Sequence, residues 1–132
     1  QFVQPSLAAG LLSFQCCKMP DWTDDPAVAQ HYQIMAKYGG PSPGIFTIVM
    51  QVLSELTVEI LNRSCDNLTR EGVMKVATSI YDWRSELLVE GATITVTDTD
   101  RRALQTGPME RVVVEDGRGR WEYFGPLYEF QE

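Results

Sequence analysis

Two adjacent cysteines and a lone histidine are the side chains in this sequence best suited to nucleophilic chemistry. Cys16 or Cys17 would need a base and a third group that orients the base, such as an aspartate. His31 is the chain's single histidine. It lies between Val28 and Met35 at helical spacing, where a structural role is the more common one. We therefore favour a structural His31 over a small Cys-dependent hydrolase, and predict no enzyme activity and no catalytic residue.

A metal site would have to draw on three aspartates and the histidine, namely Asp21, Asp24, Asp25 and His31. Their spacing matches neither a zinc motif nor an EF-hand loop. The aspartates precede a helix, where capping and solvation account for them. The glycines of "EDGRGRW" fall between two strand-like arms, where turns require them, and form no phosphate loop. We predict no metal and no cofactor.

A ligand-binding residue is predicted at the start of the most apolar helix. Phe46 follows the loop "PSPG" directly after Ile45. Residues at the mouth of an element can face a cleft. Phe46 and Ile45 are therefore the two predicted ligand-binding residues, whereas most other aromatic side chains are expected in the core.

Composition limits the remaining functions. The 132 residues suit one ordinary domain, and 44% of them are hydrophobic. A net charge of −7 argues against a nucleic-acid surface and against attraction to anionic lipid. No uninterrupted apolar run reaches the roughly 18 residues of a membrane span. Three cysteines are too few for a disulfide framework, and whether Cys65 pairs with Cys16 or Cys17 is left open.

The first half of the chain predicts one strand and two helices. Residues 10–17, "GLLSFQCC", indicate a short buried strand. Asp25 as N-cap and Pro26 at the first helical position begin a helix that "GG" at 39–40 ends. The next helix, roughly 45–62, is apolar except for a narrow stripe, and we expect it to be buried on most sides. The polar residues of that stripe are Thr47, Gln51, Ser54, Glu55 and Glu59.

The second half predicts a helix, a strand and a hairpin. Thr69 is the N-cap of a third helix, whose apolar face is predicted to run through Ala77 and Ile80. "GATITVTDTD" alternates apolar residues with threonines, which is typical of a strand. Residues 112–124 predict a hairpin with its turn at 116–119. The class is α/β, in the order strand, three helices, strand and hairpin. The helices have no sheet of their own to cover, so we expect neighbouring strands to come from elsewhere.

Several segments together resemble the C-terminal portion of a type I periplasmic solute-binding protein of the branched-chain amino acid and amide transporter type. The segments are "DWTDDPAVAQHYQIMAKYG", "DNLTREGVMKVATSIYDW", "LLVEGATITVTDTDRR" and "MERVVVEDGRGRWEYFG". The resemblance covers residues 10–125. It implies a Rossmann-like, two-lobed fold with solute bound between the lobes, which close on binding. This family's contribution from the region is usually one residue at the start of the long helix, which matches Ile45 or Phe46.

The resemblance also implies a domain division and partners. Residues 1–97 would belong to the N-terminal lobe, with a crossover near 10–17, and residues 98–132 would cross back and pack as a hairpin on the other lobe. The chain would then be a fragment of an extracytoplasmic protein, periplasmic or extracellular and possibly lipid-anchored. Its partners would be an amino acid, amide or small carboxylic or aromatic solute, a membrane permease and the rest of its own chain. A receptor ectodomain of the same fold and an oligomerising interaction domain are the alternatives.

Overall fold

The computed structural model describes residues 4–129, apart from the side chain of Pro5, and has a mixed α/β fold as predicted. Within residues 4–129, four helices and five strands follow one another in the order helix, strand, three helices and four strands. In chain order they are α1 Pro5–Ala8, β1 Leu12–Phe14, α2 Pro26–Lys37, α3 Ile45–Arg63, α4 Arg70–Ala77, β2 Ile80–Trp83, β3 Ile94–Val96, β4 Thr106–Glu115 and β5 Arg118–Glu129.

The described strands form two antiparallel sheets. One has the order β1-β4-β5 and the other pairs β2 with β3. The predicted hairpin is confirmed as β4 and β5, which pair through to Glu115 and Arg118. Asp116 and Gly117 connect them with φ values of 50° and 74°, the positive pair that a type I′ turn requires. The hairpin extends well beyond the predicted arms, because β4 begins at Thr106.

The caps predicted for α2 are confirmed. The Asp25 carboxylate accepts hydrogen bonds from the backbone N–H groups of Ala27 and Val28, at 2.9 and 3.3 Å. Pro26 occupies the first helical position, and α2 ends at Lys37. Gly39 follows with φ of 65°, which a residue without Cβ adopts at no steric cost.

The cap of α4 is also confirmed, but its predicted length is wrong. Thr69 Oγ1 accepts from the N–H of Gly72 at 3.1 Å. The helix ends at Ala77, and Ile80 begins strand β2 instead of continuing the helical face. The hydroxyls of Thr78 and Ser79 donate to helix carbonyls, a local alternative to further helical bonds. Pairing of β2 with β3 then fixes the extended backbone.

Burial at β1 differs from the prediction of a buried strand over 10–17. Leu11 and Leu12 are 57% and 59% exposed, and burial falls on Cys16 and Cys17 after the strand. These leucines are exposed because they lie at the edge of a sheet, where β1 pairs only with β4. An edge strand on an open sheet leaves one side uncovered.

The core lies on one side of α3. Ile48, Val52 and Leu56 of α3 are buried together with Ile80 and Ile94. The expectation that α3 is buried on most sides is therefore wrong for this chain, because its other side is exposed. By length and composition alone, α3 also meets the criterion for a membrane-crossing helix, as many core helices do.

Candidate functional site

A groove of about 430 Å³ runs between α2 and the first half of α3. Phe46 and Met50, one helical turn apart, form one wall and are 82% and 60% exposed. Exposed patches of large apolar side chains are typical of surfaces that bind a ligand, another protein or a membrane. The other residues that line the groove are His31, Ile34, Met35, Pro41, Thr47, Gln51 and Ser54.

The two predicted ligand residues lie in different surroundings. Phe46 lines the groove. Ile45 is half-buried and packs against the hydrophobic core. Phe46 is thus the one of the pair whose side chain is available to a ligand in this structure, and ligand contact by either residue stays a prediction.

His31 forms the polar floor of the groove and joins α2 to α3. It is 1% exposed. Its Nδ1 lies 2.6 Å from Gln51 Oε1, and its Nε2 lies 2.8 Å from Thr47 Oγ1. A carboxamide oxygen only accepts hydrogen bonds, so Nδ1 carries a proton and donates it to Gln51. Thr47 is held in turn by the backbone of Gly44, whose N–H donates to its hydroxyl oxygen at 2.9 Å.

The hydrogen-bond chain continues from Gln51 to the loop after β2. Gln51 Nε2 donates to Glu55 Oε1 at 2.8 Å, which fixes the orientation of the carboxamide. Ser85 donates its hydroxyl to Glu55 Oε2 at 2.6 Å and accepts from the N–H of Leu87. His31 and Ser85 are buried, and paired polar groups of this kind hold elements in one arrangement. The network therefore fixes α2, α3 and the loop to one another beneath the groove.

The predicted structural role of His31 agrees with this geometry. Both ring nitrogens already face partners on α3, so neither is directed at a cysteine thiol. Chemically, the site has apolar walls and a floor of amide, hydroxyl and imidazole groups. Such a groove can bind a small molecule with an apolar body and a few polar atoms.

The cysteines are all free in the described structure. Cys16 and Cys17 are buried, with their sulfur atoms 3.9 Å apart, and Cys65 is exposed. The hydrogen bond to Cys16, together with burial, raises the pKa of the Cys17 thiol far above its usual range. A thiol with a raised pKa is a poor nucleophile because the thiolate is the reactive form.

Among the aspartates considered for a metal site, Asp25 has two structural contacts. The Asp25 carboxylate caps α2 and forms an ion pair with Lys18 at 2.6 Å. The Lys18 hydrogen bond lowers the pKa of Asp25, and the helix N–H groups add to this effect. Within residues 4–129, no group of three or more His, Cys, Asp or Glu side chains is arranged to hold a metal ion.

Glu110 is a buried acid that the sequence pattern did not single out. It lies in β4, is 4% exposed, and its Oε2 atom has no hydrogen-bond partner in the described structure. Burial raises the pKa of Glu110, and a hydrogen bond with Ser13 of β1 opposes this in part. Alternation along β4 places Glu110 on the same face as Pro108 and Val112, which are also buried, and Glu110 pairs with Ser13 of β1 across the sheet.

The fold of residues 4–129 is mixed α/β and similar to part of a type I periplasmic binding protein. No family model and no curated protein sequence matches the chain. Among solved structures, the chain is similar to one described as a branched chain amino acid ABC transporter from Thermus thermophilus with bound valine.

That similarity extends over 94% of this chain with a TM-score of 0.65 and 18% sequence identity. The chain spans 37% of the length of that Thermus protein. A likeness at this identity shows a shared fold, which is the fold that the sequence resemblance implied.

Sequence reasoning named Phe46 as a predicted ligand-binding residue but did not predict the groove around it. Met50 stands four residues after Phe46, and this i,i+4 spacing places both on one face of a helix. That signal was present in the sequence. The pairing of His31 with Gln51 was not visible, because it depends on how α2 packs on α3 across a separation of 20 residues.

Proposed function

We propose that this chain is part of an extracytoplasmic solute-binding protein that serves an ABC transporter. The observation that carries the proposal is the similarity to a branched chain amino acid ABC transporter with bound valine, over 94% of this chain. The solute would be an amino acid, an amide, or a small carboxylic or aromatic compound. A membrane permease would be the partner, and the protein would be periplasmic or extracellular, either free or lipid-anchored.

The groove would supply one wall of the site for such a solute. Phe46 and Met50 present apolar surface of the kind that an aliphatic or aromatic side chain buries. The chain spans 37% of the similar protein, so the facing wall would come from the rest of a two-lobed protein. We propose Phe46 as the residue of this chain that contacts the solute.

The strand pairing supports the proposed division into lobes. In that division, residues 1–97 belong to the N-terminal lobe with a crossover near 10–17, and residues 98–132 cross back. Residues 1–3 and 130–132 of these ranges lie outside the described residues. Strand β1 pairs with β4 at Leu12–Arg111 and Phe14–Met109. Two crossing segments that run side by side would form one connection between lobes, about which the lobes could close.

The test is calorimetry on the full-length product of the reading frame that encodes this chain, with valine, leucine and small amides as probes. We expect saturable binding, weakened roughly 10- to 150-fold by Phe46→Ala, since burying an aromatic side chain contributes on the order of 1.5–3 kcal/mol. Tyr81→Ala is the matched control, because Tyr81 is exposed and lies outside the groove. The isolated 132-residue chain should bind weakly or not at all.

Three results would contradict the proposal. They are no binding of any probe by the full-length protein, tight binding of a probe by the isolated chain, and equal effects of Phe46→Ala and Tyr81→Ala. The first rejects the function, the second rejects the cleft between lobes, and the third rejects Phe46 as the contact.

A receptor ectodomain of the same fold is the second candidate. It would bind the same probes in calorimetry but would be followed in its reading frame by a transmembrane segment. A Cys-dependent hydrolase is disfavoured by the burial of Cys16 and Cys17 and by the engaged nitrogens of His31. Alkylation of the thiols should leave solute binding by the full-length protein intact.

A further inference from the structure

The two buried thiols lie close together although they belong to adjacent residues. Side chains of neighbours in an extended strand point to opposite faces. Cys16 and Cys17 follow β1, and their sulfur atoms lie 3.9 Å apart and share a hydrogen bond. The fold therefore brings together two thiols that a regular strand would separate. The groove and its hydrogen-bond network do not use this pair.

Hydrogen bonds of the backbone hold the pair in this arrangement. The Cys16 carbonyl accepts from the N–H of Val89 at 2.9 Å. The Cys17 carbonyl accepts from the hydroxyl of Tyr123 in β5 at 2.6 Å. The N–H groups of both cysteines donate to Gln15 Oε1, at 3.0 and 3.4 Å. The backbone that carries the two thiols is thus fixed to two different parts of the fold.

The two thiols differ in acidity. The hydrogen bond with Cys17 lowers the pKa of Cys16, and burial opposes this only in part. The same hydrogen bond, together with burial, raises the pKa of Cys17 far above its usual range. Because the thiolate is the nucleophile, Cys16 reacts first and Cys17 stays beside it as a protonated thiol. A soft metal ion would need both sulfurs as thiolates, which the raised pKa of Cys17 opposes.

A disulfide between adjacent residues is strained. Cα atoms joined by a trans peptide are about 3.8 Å apart, whereas the Cα atoms of disulfide-bonded cysteines are usually about 4.4–6.8 Å apart. Strained disulfides are readily reduced and belong to the labile, regulatory type. A bond between these two sulfurs would therefore open again with a thiol reductant and would not be a permanent structural link.

We propose that Cys16 and Cys17 form a reversible redox site, in which a peroxide converts the two thiols into a disulfide between adjacent residues. Cys16 is 4% exposed and Cys17 is fully buried. Such burial excludes bulky oxidants but admits hydrogen peroxide, a molecule little larger than water, during local opening. The redox site is separate from the proposed solute groove, and its chemistry does not depend on solute binding.

The reaction balances with hydrogen peroxide as the oxidant. The Cys16 thiolate attacks one peroxide oxygen, the O–O bond breaks, and a sulfenic acid forms on Cys16 with release of hydroxide. The Cys17 sulfur then attacks the Cys16 sulfur, the S–O bond breaks, and the Cys17 proton and the leaving hydroxide form water. Counted with the proton that Cys16 gave up on ionisation, the two thiols lose two electrons and the peroxide becomes two water molecules.

The experiment is peptide mass spectrometry on the full-length product of the reading frame that encodes this chain. The protein is treated with hydrogen peroxide, denatured in iodoacetamide and digested with trypsin. One tryptic peptide ends at Lys18 and carries both cysteines, and peptide 64–70 carries Cys65. We expect the first peptide to lose two hydrogens and all alkyl label without being joined to peptide 64–70. Dithiothreitol added before alkylation should restore both labels.

Two single variants test the order of the reaction. Cys17→Ser lacks the second thiol, so Cys16 should stop at the sulfenic acid and be trapped by dimedone. Cys16→Ser should give no dimedone adduct at Cys17, because burial still keeps that thiol protonated. The two variants differ from the parent by the same change of sulfur to oxygen, so each is the matched control for the other.

Retention of both alkyl labels after peroxide treatment would overturn the proposal. So would a disulfide that joins the first peptide to peptide 64–70 or to any other peptide, or a sulfinic acid in place of the disulfide. A dimedone adduct at Cys17 in Cys16→Ser, as abundant as the adduct at Cys16 in Cys17→Ser, would overturn the assigned order. The parent protein alone decides whether the disulfide forms, so the proposal is tested even where a variant fails to fold.

Discussion

The hydrogen bond between His31 and Gln51 is expected to be the most sensitive point of the candidate site. His31→Ala removes the contacts of both ring nitrogens, at 2.6 and 2.8 Å, and leaves the Gln51 oxygen facing an imidazole-sized void. Gln51 is half-buried at the groove, so loss of its hydrogen bond costs about 0.5–1.5 kcal/mol. Truncation of the buried ring adds on the order of 2 kcal/mol. The free energy of unfolding should therefore fall by about 2.5–3.5 kcal/mol.

A double-mutant cycle separates the hydrogen bond from the cavity. Gln51→Ala loses the same bond from the other side and also removes a donor to Glu55. In the double variant the shared bond is lost only once, so its effect should be smaller than the sum of the single effects by about 1 kcal/mol. Urea unfolding followed by far-UV circular dichroism measures all four proteins. Gln33→Ala, an exposed change on the same helix, is the control and should stay within about 0.5 kcal/mol of the parent.

Two outcomes would refute this reasoning. If His31→Ala costs no more than Gln33→Ala, the ring is not held in the core in solution. If the effects of His31→Ala and Gln51→Ala add to within about 0.3 kcal/mol, the two side chains do not interact.

Four further predictions concern other parts of the fold. Asp25→Ala should lower the free energy of unfolding by about 1–2 kcal/mol through loss of the cap and the Lys18 pair, whereas Asp25→Asn should keep the cap. The pKa of Asp25 is lowered in the folded protein, so its contribution to the free energy of unfolding is present above about pH 4 and is lost as the pH falls below that. Urea unfolding measured across pH should show this loss in the parent and not in Asp25→Asn. The pKa of Glu110 is raised in the folded protein, so the stability that comes with its protonated form is present below about pH 4 and is lost as the pH rises. Glu110→Gln should therefore be more stable than the parent at pH 7 and should lose that advantage in acid. In native protein a maleimide should modify Cys65 quickly and the two buried cysteines only after denaturation, and equal labelling of all three by mass spectrometry would contradict the described burial. Tyr123→Phe removes the 2.6 Å bond from the Tyr123 hydroxyl to the Cys17 carbonyl, and should lower the melting temperature by an amount matching about 1 kcal/mol.

Local structure was largely predictable from the sequence. The Asp25–Pro26 start of α2, the Thr69 cap of α4 and the turn at Asp116 and Gly117 all follow from interactions within a few residues. The bounds of α3 were predicted to within one residue, because its apolar pattern begins after a Pro/Gly loop. The errors occurred where distant partners compete with local preference. Strand β2 replaces a predicted helical turn because β3 pairs with it.

The candidate site divides in the same way. Phe46 was accessible to sequence reasoning, since its position after the "PSPG" loop is a local fact. The sequence did not show that Phe46 and Ile45 lie in different surroundings. Neighbours in a helix point about 100° apart, and only packing decides which one faces the core. Packing also decides the burial of Glu110, which lies on the face of β4 that carries the buried Val112.

By itself, the sequence determined where α2, α3 and α4 begin, the α/β class and the family resemblance, because caps, turns and apolar periodicity act over a few residues, whereas the short helix α1 at Pro5–Ala8 was not predicted. Only the tertiary structure decided which side of α3 is buried. A helix that is apolar except for a narrow polar stripe gives no sign of which apolar face meets which neighbour. Ile48, Val52 and Leu56 are buried because residues from 80 to 94 pack against them, and Phe46 and Met50 are exposed because no described element covers them.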